Sequence, residues 1–239
     1  MGNSLGKAKI KAEALPFINL PRSLVFEFRQ TVYEVSEEYG LTLEELKEVV
    51  ALCLQEYLRI GTNIDEYSES LFRLFNDGSS STESKQQLVD SFELIASLCL
   101  SSGMELDEKI HFLFDLFDFS ETGDLNINET TLAFRTIASA ASRIEYSQSI
   151  VDLKVIDQVA TAAFDLRSKG KLLLNRNEFF NYVYDCSESK SLLDHFDDIY
   201  DESAAVARYE KSSMHAMPLR FSTSRDEAES TAKATADGP

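Results

Sequence analysis

Between Arg22 and Lys211 the chain contains no proline; its four prolines are Pro16, Pro21, Pro218 and Pro239. Proline lacks a backbone donor and clashes inside a helix, so this long gap is what packed helices require. Glycine is nearly as scarce there, at Gly40, Gly61, Gly78, Gly103, Gly123 and Gly170. Each falls between apolar-periodic segments and reads as a turn or cap. Three cysteines, Cys53, Cys99 and Cys186, sit among apolar residues without metal-ligand spacing. They read as buried thiols of a reducing compartment, which excludes a disulfide framework. Basic residues are few: 23 Lys and Arg against 41 Asp and Glu, for a net charge of -18. Phosphate binding needs clustered cations, so nucleic acid is excluded as a partner. No apolar run is long enough to span a bilayer, and no secretory signal is visible.

Catalytic signatures are missing too. The only histidines are His111, His195 and His215. There is no His-Glu-x-x-His, no phosphate-cradling glycine loop and no nucleophile elbow, so an enzyme is not expected. His111, among Phe112, Leu113 and Phe114, reads as a core or boundary histidine. Asp194, His195, Asp197 and Asp198 read as a solvated acidic helix face.

What the sequence does contain is helical periodicity. Thr42-Leu43-Glu44-Glu45 has the form of a capping box. It opens a segment whose apolar positions Leu46, Val49, Val50, Cys53, Leu54, Tyr57 and Leu58 keep helical spacing up to Gly61. Leu88, Phe92, Ile95, Ala96 and Cys99 repeat the pattern, as do Ile110, Phe114 and Phe117. The fold expected is all-α. From about Glu210 the composition turns to Ser, Thr, Ala and charge, so 210–239 is expected to be a disordered tail.

The helix ending at Phe117 runs into Asp118-Phe119-Ser120-Glu121-Thr122-Gly123-Asp124-Leu125-Asn126-Ile127-Asn128-Glu129. Counted from Asp118, oxygen-bearing side chains occupy positions one, three and five: Asp118, Ser120 and Thr122. Gly123 at six allows a sharp turn. Asp124 at seven would offer its backbone carbonyl, and Asn126 at nine would act directly or through water. Glu129 at twelve can give two oxygens at once. An all-oxygen set with a bidentate carboxylate suits calcium better than magnesium, which prefers a smaller octahedral shell. One Ca²⁺ site is therefore expected. A weaker internal repeat accompanies it, with loop starts at Glu34, Asn76, Asp118 and Asp165, spaced by 42, 42 and 47 residues. In this alignment the loop from Asp165 carries Arg167, Lys169 and Arg176 at ligand positions three, five and twelve, which would repel a divalent ion. Leu125 and Leu172 are expected to pair as a short ladder between two loops. The loops from Glu34 and Asn76, with Tyr39 at the turn and Gln87 at position twelve respectively, are not expected to bind.

On these residues the chain resembles EF-hand calcium-binding proteins of the calmodulin superfamily. Its four-unit layout is similar to that of neuronal calcium sensors and calcineurin-B-like proteins. The resemblance covers about Arg22 to Cys186 and is specific at Asp118 to Glu129. It implies two lobes of paired EF-hands, with only short β pairing between loops, each lobe opening a hydrophobic groove with calcium. The expected organisation is a flexible basic N-terminal segment (1–21), a degenerate pair (22–103), a pair with one intact loop (104–209) and the tail (210–239). The implied function is a calcium sensor or adaptor that regulates a partner protein. The alternative is a constitutive, light-chain-like structural subunit of a larger assembly, such as a cytoskeletal or ciliary one.

Two expectations concern partners. The acidic body favours a partner offering an amphipathic, basic helix. Met1-Gly2 followed by Lys7, Lys9 and Lys11 suggests N-myristoylation of Gly2, although Gly6 stands where that signal prefers Ser or Thr. One acyl chain binds a membrane marginally, and a basic cluster is the usual second signal. The location expected is cytoplasmic, with membrane association if Gly2 is acylated.

Overall fold

The polar residue that precedes each of four helices sets that helix's start. The computed structural model describes residues 10–18, 20–36, 39–58, 61–76, 87–144, 153–167 and 172–185. A 3₁₀ turn, Ala12–Phe17, comes first. Helices α1 (Arg22–Val35) and α2 (Leu43–Cys53) flank strand β1 (Gly40–Leu41). Helices α3 (Ile64–Phe75) and α4 (Ser91–Ser101) flank β2 (Val89–Asp90). Helices α5 (Leu106–Phe117) and α6 (Ile127–Ile144) flank β3 (Asp124–Asn126), and α7 (Leu153–Arg167) and α8 (Arg176–Asp185) flank β4 (Leu173–Asn175). The described residues are thus mostly helical, with two short antiparallel strand pairs.

The strand pairs join the helix–strand–helix units two by two. Leu41 lies opposite Val89, and Leu125 opposite Leu174. All four of these side chains are fully buried, each contributing roughly 2 kcal/mol of apolar transfer. The residue after each is a helix cap. The Thr42 hydroxyl accepts from Glu45 N at 3.2 Å while Glu45 Oε2 accepts from Thr42 N at 2.7 Å. Asp90 Oδ1 accepts from Glu93 N at 3.0 Å. Asn126 and Glu129 exchange the same two bonds at 2.8 and 3.1 Å, and Asn175 and Glu178 at 3.0 and 2.9 Å. These reciprocal bonds satisfy helix N-terminal amides that would otherwise lack partners.

This register corrects two alignments. Leu125 pairs with Leu174, not with Leu172, which is 85% exposed. Glu178, not Arg176, is the counterpart of Glu129. The fourth unit's loop is two residues longer than the third's, so counting forward from Asp165 overshoots the true register. The second unit's loop is six residues longer, which makes Glu93, and not Gln87, its counterpart of Glu129. The first unit keeps the expected register from Glu34 to Glu45. Its capping box at Thr42 forms, although α2 ends at Cys53 and Tyr57 lies beyond it in a turn.

Helix α4 is apolar around its whole circumference, and all eleven of its residues are buried, the signature of an interior helix. It packs against α1, α5 and α6, so the core runs without a break from Ala14 to Val183. Of the N-terminal segment 1–21, expected to be flexible, residues 10–18 and 20–21 are described, and they pack onto the helices. Ala14, Phe17 and Leu20 are core residues, and Lys11 N donates to the Ile144 carbonyl at 2.8 Å. Three apolar anchors offset the ordering cost that basic composition alone suggested would keep this segment loose. Gly2, Lys7, Lys9, the group Asp194 to Asp198 and the tail 210–239 lie outside the described residues.

Candidate metal centre

Asp118 is the C-terminal cap of α5, where the chain leaves the helix at ψ 74°. Its carboxylate folds back over the loop. Oδ1 accepts from Thr122 N at 3.1 Å and from the Ser120 hydroxyl at 3.3 Å, and Oδ2 accepts from Gly123 N at 2.7 Å. The Ser120 and Thr122 hydroxyls are 2.9 Å apart, and Thr122 Oγ1 donates to the Asp124 carbonyl at 3.3 Å. Oxygens of positions one, three, five and seven therefore form one connected cluster. Oxygens about 2.4 Å from a common calcium ion stand roughly 3 Å from one another, so the spacing fits the ion.

Two left-handed residues bend the loop this tightly. Glu121 has φ +54° and Gly123 φ +79°. Nothing lies within 4 Å of where a Cβ on Gly123 would sit, so glycine is required there by backbone conformation and not by crowding. From Asp124 the chain enters the ladder, which turns Leu125 into the core and starts α6. Glu129, at the third position of α6, is 8% exposed and points back to Asn126. The six expected residues, Asp118, Ser120, Thr122, Asp124, Asn126 and Glu129, thus lie on one continuous turn. Asn126 Oδ1 accepts from Asn128 N and Glu129 N, so its amide oxygen serves as a helix cap. A water-mediated role at position nine suits that geometry.

Among the described residues no three His, Cys, Asp or Glu side chains group at metal-binding spacing. The loop does not depend on such a group, because two of its oxygens are hydroxyls and a third is a carbonyl. The donor chemistry is that of a hard cation with few charged ligands.

The surroundings contain features that the loop sequence did not reveal. Phe119, half-exposed, sets its ring 5.4 Å from that of Phe92 and 6.5 Å from that of Tyr39, so the loop rests against the first strand pair. Arg176 pairs with Asp115 and lies 4.8 Å above the Phe114 ring. His111 is a boundary residue, its ring stacked on Phe180 at 5.0 Å, and its Nδ1 is buried without a hydrogen-bond partner. Glu93, which the ladder makes the second unit's counterpart of Glu129, is engaged by α6. It accepts from Ser139 and from Arg143 Nε on α6. A pattern of apolar, Thr/Asp/Asn, two residues, then Glu would have found all four units: Leu41 to Glu45, Val89 to Glu93, Leu125 to Glu129 and Leu174 to Glu178.

No protein-family model matches the chain, and no curated protein matches it.

Proposed function

We propose that the chain is a calcium-binding protein of the EF-hand type, holding one Ca²⁺ in the loop Asp118 to Glu129. The observation that carries this reading is the connected oxygen cluster of Asp118, Ser120, Thr122 and the Asp124 carbonyl, with Glu129 fixed at the start of α6. Bound there, calcium would take these oxygens together with the Glu129 carboxylate. The four ladder-and-cap units support the four-hand layout. Titration calorimetry should return one calcium per chain, with Kd on the order of 10⁻⁶ to 10⁻⁴ M because only Asp118 and Glu129 offer charged ligands. Two or more strong sites, or none, would overturn the reading.

As a sensor or adaptor, the protein would regulate a partner presenting an amphipathic basic helix, suited to a chain of net charge -18. An acylated Gly2 would add membrane contact through Lys7 and Lys9. Lys11, the third of that trio, is tethered by its N–H to the Ile144 carbonyl, and burial and then the neighbouring Arg143 hold its ammonium pKa below the usual lysine range. Among the described residues no helix is long and apolar enough to cross a membrane.

One observation favours the constitutive, light-chain-like subunit instead. Helix α4 is enclosed on all sides, so each half is braced by the other. A hydrophobic dye separates the two: its fluorescence should rise with calcium for a sensor and stay level for a braced subunit.

A further inference from the structure

We propose that Arg176 sets the calcium affinity of the Asp118–Glu129 loop, acting as a fixed cation that competes electrostatically with the bound ion. This inference rests on the calcium reading above and adds the residue that tunes that site.

Two independent features of the fold bring Arg176 to the loop. In the β3–β4 ladder, Asn175 is the direct partner of Asp124, the position-seven residue. Arg176 is the next residue and opens α8, so the register delivers it to the edge of the site. Across the gap, its guanidinium pairs with Asp115 and sits over Phe114, both in the last turn of α5. Asp115 precedes Asp118 by three residues, a spacing that places side chains on the same helix face. Phe114 also anchors that end of α5, its backbone carbonyl accepting from Asp118 N at 3.1 Å. The side-chain hydrogen bond to Asp115, and after it the charges of Asp115 and then Asp118, hold the guanidinium pKa above the usual arginine range against burial, which lowers it.

The same field acts in both directions. A guanidinium that is stabilised by Asp118 is disfavoured when a divalent cation takes over that carboxylate. The ion pair with Asp115 reduces the penalty without removing it, because a divalent ion in the loop would carry twice the charge of the single carboxylate that offsets Arg176. The sequence assigned Arg176 to the fourth loop's own ligand shell. The ladder brings its charge to the third loop, where the proposed donor set lies.

The test is calcium titration of the full chain, wild type against Arg176→Gln, Arg176→Lys and Asp115→Asn, at low and at high salt. Arg176→Gln should tighten calcium binding by about fivefold at low ionic strength, because it removes the Coulomb repulsion between the guanidinium and a divalent ion several ångströms away in a water-like dielectric. The gain should shrink as salt screens the charge. Arg176→Lys keeps the charge and should stay within about twofold of wild type. Asp115→Asn frees Arg176 from its carboxylate and should weaken binding by a factor similar to the gain from Arg176→Gln. If Arg176→Gln fails to fold, Arg176→Met, which also removes the charge, carries the same expected gain, and the absence of that gain overturns the inference. Calcium binding that is unchanged in Arg176→Gln, or tightened equally in Arg176→Lys, overturns the inference and leaves the calcium site standing. A gain that is independent of salt also overturns it, since a packing effect would behave that way. Calcium binding to neither wild type nor Arg176→Gln overturns the calcium reading itself, and this inference with it.

Discussion

Arg143 Nε donates to Glu93 Oε1 at 3.0 Å, joining the end of α6 to the start of α4. Glu93 stands where Glu129 stands in the third unit, one helical turn into the helix after a capped strand. In the third unit that carboxylate accepts from Asn126 N at 2.8 Å. In the second it faces a guanidinium and the Ser139 hydroxyl. One fold position therefore holds a proposed calcium ligand in one unit and an internal ion pair in another.

Removing one partner of this brace should be costly. The Glu93 and Arg143 side chains are 9% and 18% exposed, so Arg143→Met would leave a mostly buried carboxylate without its cation. The expected loss is about 3 kcal/mol, the lower end for breaking a buried pair because the guanidinium reaches some solvent. Replacing both, Arg143→Met with Glu93→Leu, should recover more than half of it. Urea unfolding midpoints decide: if the single and double variants are equally destabilised, the cost lies in packing and not in the stranded charge.

Glu129→Gln separates binding from folding. Glutamine keeps an oxygen to accept from Asn126 N, so the cap at the start of α6 survives. It gives up the charged, bidentate donor, so calcium affinity should fall at least about tenfold. Calorimetry and thermal melting of the calcium-free protein together check this. A lowered melting temperature without calcium would mean that the carboxylate charge matters mainly to the helix start.

Much of the helical framework was readable from sequence because its signals are local. Leu46, Val49, Val50 and Cys53 are buried along one helix, and Phe92, Ile95, Ala96 and Cys99 along another, as their periodicity indicates. The tight turn from Asp118 to Gly123 was legible because the residues that form it are neighbours in the chain. The registers of the second and fourth units were not, since Val89 and Leu174 are fixed by partners 48 and 49 residues away, Leu41 and Leu125. Extra loop residues shift any count that starts from the preceding helix. The role of Arg176 is hidden for the same reason: its partner Asp115 is 61 residues distant.

Gly123→Ala tests the backbone alone. The residue has φ +79°, and an added methyl meets nothing within 4 Å. The cost should therefore be conformational, about 1–2 kcal/mol, because an L-residue is strained in the left-handed region. Chemical denaturation of the calcium-free protein measures it. A neutral substitution would show that the loop relaxes to another conformation, and calcium affinity should then fall with no loss of stability.

Cys99 should report global opening. It is fully buried on α4, and burial pushes its thiol pKa up to about 12, with Lys109 pulling it slightly down. At pH 8 the thiolate fraction is on the order of 10⁻⁴, and the thiolate is the reactive species. Cys53, whose thiol burial also raises and which donates to Thr31 Oγ1 at 3.2 Å, is less enclosed. Alkylation followed by peptide mass analysis should label Cys53 well before Cys99. Labelling of Cys99 should track denaturant unfolding. Rapid modification of Cys99 in native buffer would mean that α4 opens locally.

That enclosure also bears on whether the halves are separable. A fragment ending near Gly103 keeps α1 to α4 but loses α5 and α6, against which α4 packs. Ile95, Ala96, Leu98 and Cys99, all fully buried in the intact chain, belong to that helix. So does Ser97, whose hydroxyl donates to the Ala140 carbonyl on α6 at 3.3 Å. The fragment would also leave Glu93 without Arg143. Exposing the α5 and α6 sides of a helix apolar all round favours self-association over a stable monomer. The fragment 10–103 should therefore lack a cooperative thermal transition, bind hydrophobic dye strongly and elute as an aggregate, while the full chain melts as one unit. A monomeric fragment with a sharp transition would show that the first four helices fold independently and that their contact with α5 and α6 is a docking between separate bodies.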